Sequence, residues 1–168
     1  PVPGGRRVFF QKHMSHHLLP GIDRAWLARL THAFLIRDPR EMLTSLIKVT
    51  PSITLSDTGL PQQVELIRFV EDREGRTPPI LDARDVREDP RGMLTALCQR
   101  VGIEFSEAML SWPAGPRATD GVWAKHWYAA VEKSTGFEPY RPKQEAVPPE
   151  YDYVLAQAVE LYERMHRV

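Results

Sequence analysis

The sequence predicts an α/β fold with at least three parallel strands, and three observations carry the prediction. Short apolar runs of strand length, without helical alternation, lie at Arg6–Lys12, His32–Ile36 and Thr77–Ala83. Such runs suit strands buried on both faces of a parallel sheet. Between and after them, apolar residues recur at helical spacing. Finally, Arg37-Asp38-Pro39 turns the middle run directly into a helix. That places a cation at the carboxyl edge of the sheet, where open α/β sheets bind ligands.

Taken in order, Pro1-Val-Pro-Gly-Gly5 has no initiator methionine and reads as the tail of a linker. The chain is therefore expected to be the C-terminal portion of a longer protein. Arg6–Lys12 is the first expected strand, and a loop containing His13, His16 and His17 follows it. Ile22, Trp26, Leu27 and Leu30 give a helix that returns the chain to the strand at 32–36, a parallel crossover unit. From Pro39 a helix is expected to about Val49, burying Met42, Leu43, Leu46 and Ile47. Asp38 stands at its N-cap, and Pro39 costs nothing at the first helical position, where an N–H has no partner. Thr50–Gly59 is rich in loop-forming residues. Leu60 to Glu74 is helical, with Val64, Ile67 and Val70 inward and Gly75 just past its end. After the third strand, Asp89-Pro90 opens a helix carrying Met93, Leu94, Leu97 and Val101, and Gly102 stops it. Periodicity then weakens. A short helix at Ser106–Leu110 precedes a turn-rich link ending at Arg117, and an aromatic helix is expected over Gly121–Glu132. Four prolines make Glu138–Glu150 an extended coil wrapping the body, and Tyr151–His166 closes the chain as an amphipathic helix.

The 168 residues suffice for a single domain with its own core, so 1–168 is read as one unit. Lys and Arg together number 22, as do Asp and Glu. This balance gives no hint of nucleic acid or a membrane surface as partner. No run is long enough to span a bilayer and no signal-peptide pattern is present. The one cysteine, Cys98, has no intrachain disulfide partner, which fits a cytoplasmic setting.

Two groups of residues invite chemistry. Arg37 and Ser45 lie eight positions apart, from strand end to second helical turn. A guanidinium fork and a hydroxyl at that spacing can grip one phosphate. The plainer alternative is an arginine paired with a neighbouring carboxylate and a serine facing solvent. In the first loop a histidine can serve as general base and Lys12 can steady developing negative charge. With no cysteine nearby and no HExxH pattern, a metal is not expected there. Arg117 lies in a loop able to fold over the sheet edge. Trp123, Trp127 and Tyr128 can stack on a planar ligand or simply fill core.

Three stretches together resemble the sulfotransferases that use 3′-phosphoadenosine 5′-phosphosulfate (PAPS). Leu35-Ile-Arg-Asp-Pro-Arg40 with Ser45 is similar to the family's 3′-phosphate motif. Asp85-Val-Arg-Glu-Asp-Pro-Arg91, with its helix and Val101-Gly-Ile103, resembles the family's EDLKEDP stretch. Arg117 and Gly121-Val-Trp-Ala-Lys-His-Trp127 resemble the late R-K-G…G-D-W-K-x-x-F signature, with Val122 where aspartate is usual. The resemblance implies a three-layer P-loop-type fold, a parallel sheet flanked by helices, here without its first strand and P-loop. It implies sulfuryl transfer from PAPS to a hydroxyl or amine of a small-molecule acceptor, with no metal. Arg37, Ser45, Arg117, Gly121 and Trp123 would bind the donor, and the loop of Lys12, His13, His16 and His17 would correspond to the K-x-H element that deprotonates the acceptor. Which histidine is the base stays open. The rival functions are a P-loop phosphotransferase with another nucleotide, and a non-catalytic binding module that keeps the fold.

Overall fold

A computed structural model describes residues 3–50, 52–118, 120–122, 124 and 128–167. Its organising unit is a parallel pair of short strands, β1 (Phe34–Ile36) and β2 (Ile80–Asp82), in register Phe34 to Ile80 through Ile36 to Asp82. Between them run α1 (Pro39–Leu46) and α2 (Leu60–Glu74), and after β2 come α3 (Ala83–Glu88) and α4 (Pro90–Val101). The chain ends in α5 (Asp152–His166).

Each helix starts and stops for local reasons. The Asp38 carboxylate accepts the Arg40 and Glu41 amides at 2.7 and 3.3 Å, and Pro39 follows as expected. Asp82 caps α3 through the Arg84 amide at 2.7 Å, and Asp89 caps α4 through Gly92 at 2.9 Å. Gly75 and Gly102 end α2 and α4 in the left-handed region, at φ 65° and 75°.

The core forms where α2 and α5 meet the sheet. Ile36, Leu60, Val64, Ile67, Ala158 and Met165 are its buried members, with Phe34, Met42 and Ile80 packed against them. A smaller cluster of Leu18, Leu27 and Leu66 anchors the N-terminal segment on α2. No helix among the described residues is long and apolar enough to cross a membrane.

Three expectations are corrected. Arg6–Lys12 is not a strand: Val8, Phe9 and Phe10 are 48, 65 and 83% exposed. A strand exists only where a ladder partner completes its backbone hydrogen bonds, and among the described residues β1 pairs with β2 alone. The sheet thus has two strands rather than three. The helix expected near 22–30 is a short 3₁₀ helix, Ala25–Arg29, with only Leu27 buried. Ala83, expected in the third strand, instead begins α3, because Asp82 caps a helix at once. The aromatic segment 121–132 lies partly outside the described residues, though helical bonds join Tyr128 N to Ala124 O and Glu132 N to Tyr128 O. As expected, residues 138–148 form a coil laid over the body.

Candidate functional site

The carboxyl edge of the sheet is where the two helix starts and the coil converge. Arg37 leaves β1, α1 begins at once, and the Asp82 cap of α3 is the register partner of Ile36 beside it. The Arg40 and Glu41 amides of α1 and the Arg84 amide of α3 are occupied by the Asp38 and Asp82 caps. At the start of α1, side chains must therefore supply any anion contacts.

Arg37 and Ser45 are brought together through Glu41, one helical turn from each. Arg37 Nη2 lies 3.5 Å from Glu41 Oε2, and the Ser45 hydroxyl donates to the Glu41 carbonyl at 2.9 Å. Glu41 is buried, and three groups from elsewhere close on it. Tyr140 OH donates to Oε1 at 2.7 Å, the Lys143 amide reaches the same oxygen at 3.4 Å, and Lys143 Nζ contacts its carbonyl at 3.3 Å. Lys143 Nζ also donates to Ser45 Oγ at 2.6 Å. Burial opposes ionisation of Glu41, but the Tyr140 hydroxyl, the Lys143 amide and the Arg37 charge outweigh it and hold the pKa below its ordinary 4.5. The Lys143 ammonium is held below its usual range by burial and by the like charges of Arg37 and Lys48. An anionic group placed here would relieve that crowding, so the residues fit a phosphate.

The coil that delivers Tyr140 and Lys143 is pinned along its length. Arg87 donates to the carbonyls of Glu138 and Pro139 at 3.1 and 2.9 Å. The Arg84 and Arg87 guanidinium groups lie 5.3 and 5.8 Å from the Tyr140 ring centroid. Lys48 pairs with Glu145 at 2.7 Å beyond the site. A cavity of about 320 Å³ borders this coil, lined by Arg87, Glu138, Pro139 and Arg141.

The histidine loop docks on the start of α2. Ser15 Oγ donates to the Gly59 carbonyl at 2.9 Å, and Gln63, one turn into α2, donates to Leu35 O of β1. Lys12, His13 and His17 are exposed, whereas His16 is half-buried. Lys12 Nζ contacts Met14 Sδ, and the His13 ring lies against Trp26. Burial, then the neighbouring His17, lower the His16 pKa from its ordinary 6.5; Asp57 pulls the other way, and Lys12 adds the smallest lowering. Among the described residues no hydrogen bond or ion pair joins this loop to Arg37 or Ser45.

Arg117 and Gly121 lie in an exposed turn, where the Arg117 amide donates to Asp120 Oδ2 at 2.7 Å. Among the described residues the Arg117 guanidinium makes no bond, and none links this turn to Arg37 or Ser45. Trp123 lies outside the described residues. Sequence reasoning missed Glu41, Tyr140 and Lys143. Glu41 had a signal, being four residues from both Arg37 and Ser45 on the same helical face. The other two sit in a coil without periodicity.

A mixed α/β chain with cationic side chains gathered at the carboxyl edge of a parallel strand pair is the class these elements define. Residues 4–168 match the model of the Sulfotransferase domain family, and the chain belongs to that family. Two Arabidopsis thaliana proteins, the branched-chain-amino-acid aminotransferase-like proteins 2 and 1, are each 35% identical to it over 162 and 161 residues. Those residues are 95% of this chain, which spans 28% of the length of either relative. No solved structure matches the chain significantly.

Proposed function

We propose that this domain takes part in sulfuryl transfer from PAPS to a hydroxyl or amine, on a three-layer P-loop-type fold. The carrying observation is the convergence of Arg37 and Ser45 on the carboxyl edge of the sheet, with the Lys143 ammonium beside them. In this reading Arg37 binds the donor's 3′-phosphate as a planar fork and Ser45 adds a hydroxyl donor. Arg117, Gly121 and Trp123 are assigned to the same phosphate and the nucleotide on the family resemblance.

PAPS supplies an activated sulfuryl group whose sulfur accepts the acceptor's lone pair as its bond to the 5′-phosphate oxygen breaks. The chain's own residues position the nucleotide, neutralise its charge and remove the acceptor proton. The last task is assigned to the loop of His13, His16 and His17, in which His16 is the half-buried member. Lys12 stands at the head of the same loop, able to balance negative charge.

The test is calorimetric titration of 3′,5′-diphosphoadenosine, with 5′-AMP as control. Arg37→Ala removes charge-assisted bonds worth about 1.5–3 kcal/mol, which is roughly 10- to 100-fold in affinity for the bisphosphate. Binding of 5′-AMP should change little. Equal affinities of wild type and variant for the bisphosphate would refute the phosphate site.

A further inference from the structure

We propose that Lys143, carried by the coil 138–145, is a direct ligand of the phosphate at the Arg37–Ser45 site, supplying the second cation that a phosphate monoester requires. The proposal rests on reading that pair as a phosphate site, and it goes beyond the three sequence motifs, none of which contains Lys143.

The geometry carries it. An ammonium offers three N–H donors. Among the described residues Lys143 spends two, on Ser45 Oγ at 2.6 Å and on the Glu41 carbonyl at 3.3 Å. The third is free, and no carboxylate lies within ion-pair distance of it among those residues. The contrast with Lys48 is instructive, because that lysine, on the adjoining stretch of α1's end, is neutralised by Glu145 at 2.7 Å. Glu41 cannot neutralise both site cations. Its Oε1 is taken by the Tyr140 hydroxyl and the Lys143 amide, and its Oε2 faces Arg37 at 3.5 Å. Arg37, Lys143 and Glu41 together leave one uncompensated positive charge beside a hydroxyl, which matches a terminal phosphate.

Ser45 argues the same way. A hydroxyl has one proton, and here it goes to the Glu41 carbonyl at 2.9 Å. To donate to a phosphate, Ser45 must rotate away from that back-bond, whereas Lys143 reaches the ligand with the donor it has spare. Of the two, Lys143 is therefore the readier contact. Its main chain is fixed by the Tyr140 hydroxyl and by Arg87, so little ordering is left to oppose binding.

The experiment compares Lys143→Met, Lys143→Arg, Glu145→Ala and Arg37→Ala in calorimetric titrations of 3′,5′-diphosphoadenosine and 5′-AMP, with thermal midpoints recorded alongside. Lys143→Met is expected to weaken the bisphosphate about tenfold or more while leaving 5′-AMP within about twofold. Lys143→Arg is expected to keep most of the affinity, and remains informative if the methionine variant does not fold. Glu145→Ala removes a tether of the coil that makes no contact with Arg37 or Ser45 and should leave both affinities within about twofold. Loss of affinity in Arg37→Ala but not in Lys143→Met would overturn the role of Lys143 and leave the phosphate site standing. Equal losses in Lys143→Met and Glu145→Ala would overturn it too, assigning Lys143 to holding the coil. Unchanged binding in Arg37→Ala as well would remove the site itself.

Discussion

Removing one oxygen, in Tyr140→Phe, tests how the coil is held to the site. Among the described residues the Tyr140 hydroxyl is the only group bonded to the Glu41 carboxylate at an ordinary distance, 2.7 Å, while the Lys143 amide and Arg37 stand at 3.4 and 3.5 Å. A hydrogen bond to a charged acceptor contributes about 1.5–3 kcal/mol. Glu41 is buried but Tyr140 is only half-buried, so partial solvation of the donor brings the expected loss to about 1–2 kcal/mol. The phenylalanine keeps the ring that Arg84 and Arg87 cover, so packing losses are small. In urea, with a slope near 2 kcal/mol per molar, the unfolding midpoint should fall by about 0.5–1 M. The pH dependence gives the sign. Because the folded-state pKa of Glu41 is depressed, its ionised form contributes stability that is present above the ordinary value of 4.5 and lost as pH falls through the folded value. Tyr140 is a principal cause of that depression. The gap between wild type and Tyr140→Phe should accordingly be full near pH 7 and narrow below about pH 4.5. A loss under about 0.5 kcal/mol, or a gap that stays constant down to about pH 3, would refute the bond to an ionised Glu41.

Further outcomes follow from other parts of the chain. Gly59 and Gly102 both adopt positive φ, 73° and 75°, yet a Cβ on Gly59 would lie 2.4 Å from Ser15 Oγ while one on Gly102 meets nothing within 4 Å. Gly102→Ala should cost about 1 kcal/mol in chemical denaturation, and Gly59→Ala more, since it also displaces the hydroxyl that tethers the histidine loop. Equal costs would show that the tether is slack. Leu43 is fully buried, and Leu43→Ala should destabilise by about 2–5 kcal/mol in the same assay. For His16, an NMR titration of the ring proton should give a midpoint below 6.5, and His17→Ala should raise it toward the ordinary value by removing a like charge. A midpoint at or above 6.5 would refute the burial and the His17 charge as the forces acting on that ring.

Local rules carried much of the fold. The Asp38-Pro39 start of α1, the Asp89-Pro90 start of α4 and the glycines closing α2 and α4 stand where side-chain chemistry puts them. The Arg6–Lys12 segment shows what such rules omit. Val8, Phe9 and Phe10 have strand-like character, but a strand is a relation between two segments, and composition says nothing about the partner. The site divides the same way. The positions of Arg37 after β1 and Ser45 within α1 were legible because strand end, cap and helix are set by neighbouring residues. Glu41 was half-legible, since a carboxylate between them on that helix fits the plainer expectation of a neutralised arginine as well as a ligand site. Tyr140 and Lys143 were not, because their approach depends on Arg87 holding two carbonyls of a proline-rich coil.

That coil also sets the order in which the site comes into being. Glu41 receives its decisive partners from positions 99 and 102 residues downstream. At a synthesis rate of about 5–20 residues per second, α1 leaves the ribosome roughly 5–20 s before Tyr140 and Lys143 can reach it. During that interval Arg37 and Ser45 are in place on a locally encoded helix, but Glu41 must be satisfied by water. Contacts of such long range are costly in loop entropy and form late. A nascent chain, or one cleaved ahead of residue 138, would thus carry Arg37 and Ser45 without the Tyr140 and Lys143 contacts that close on Glu41.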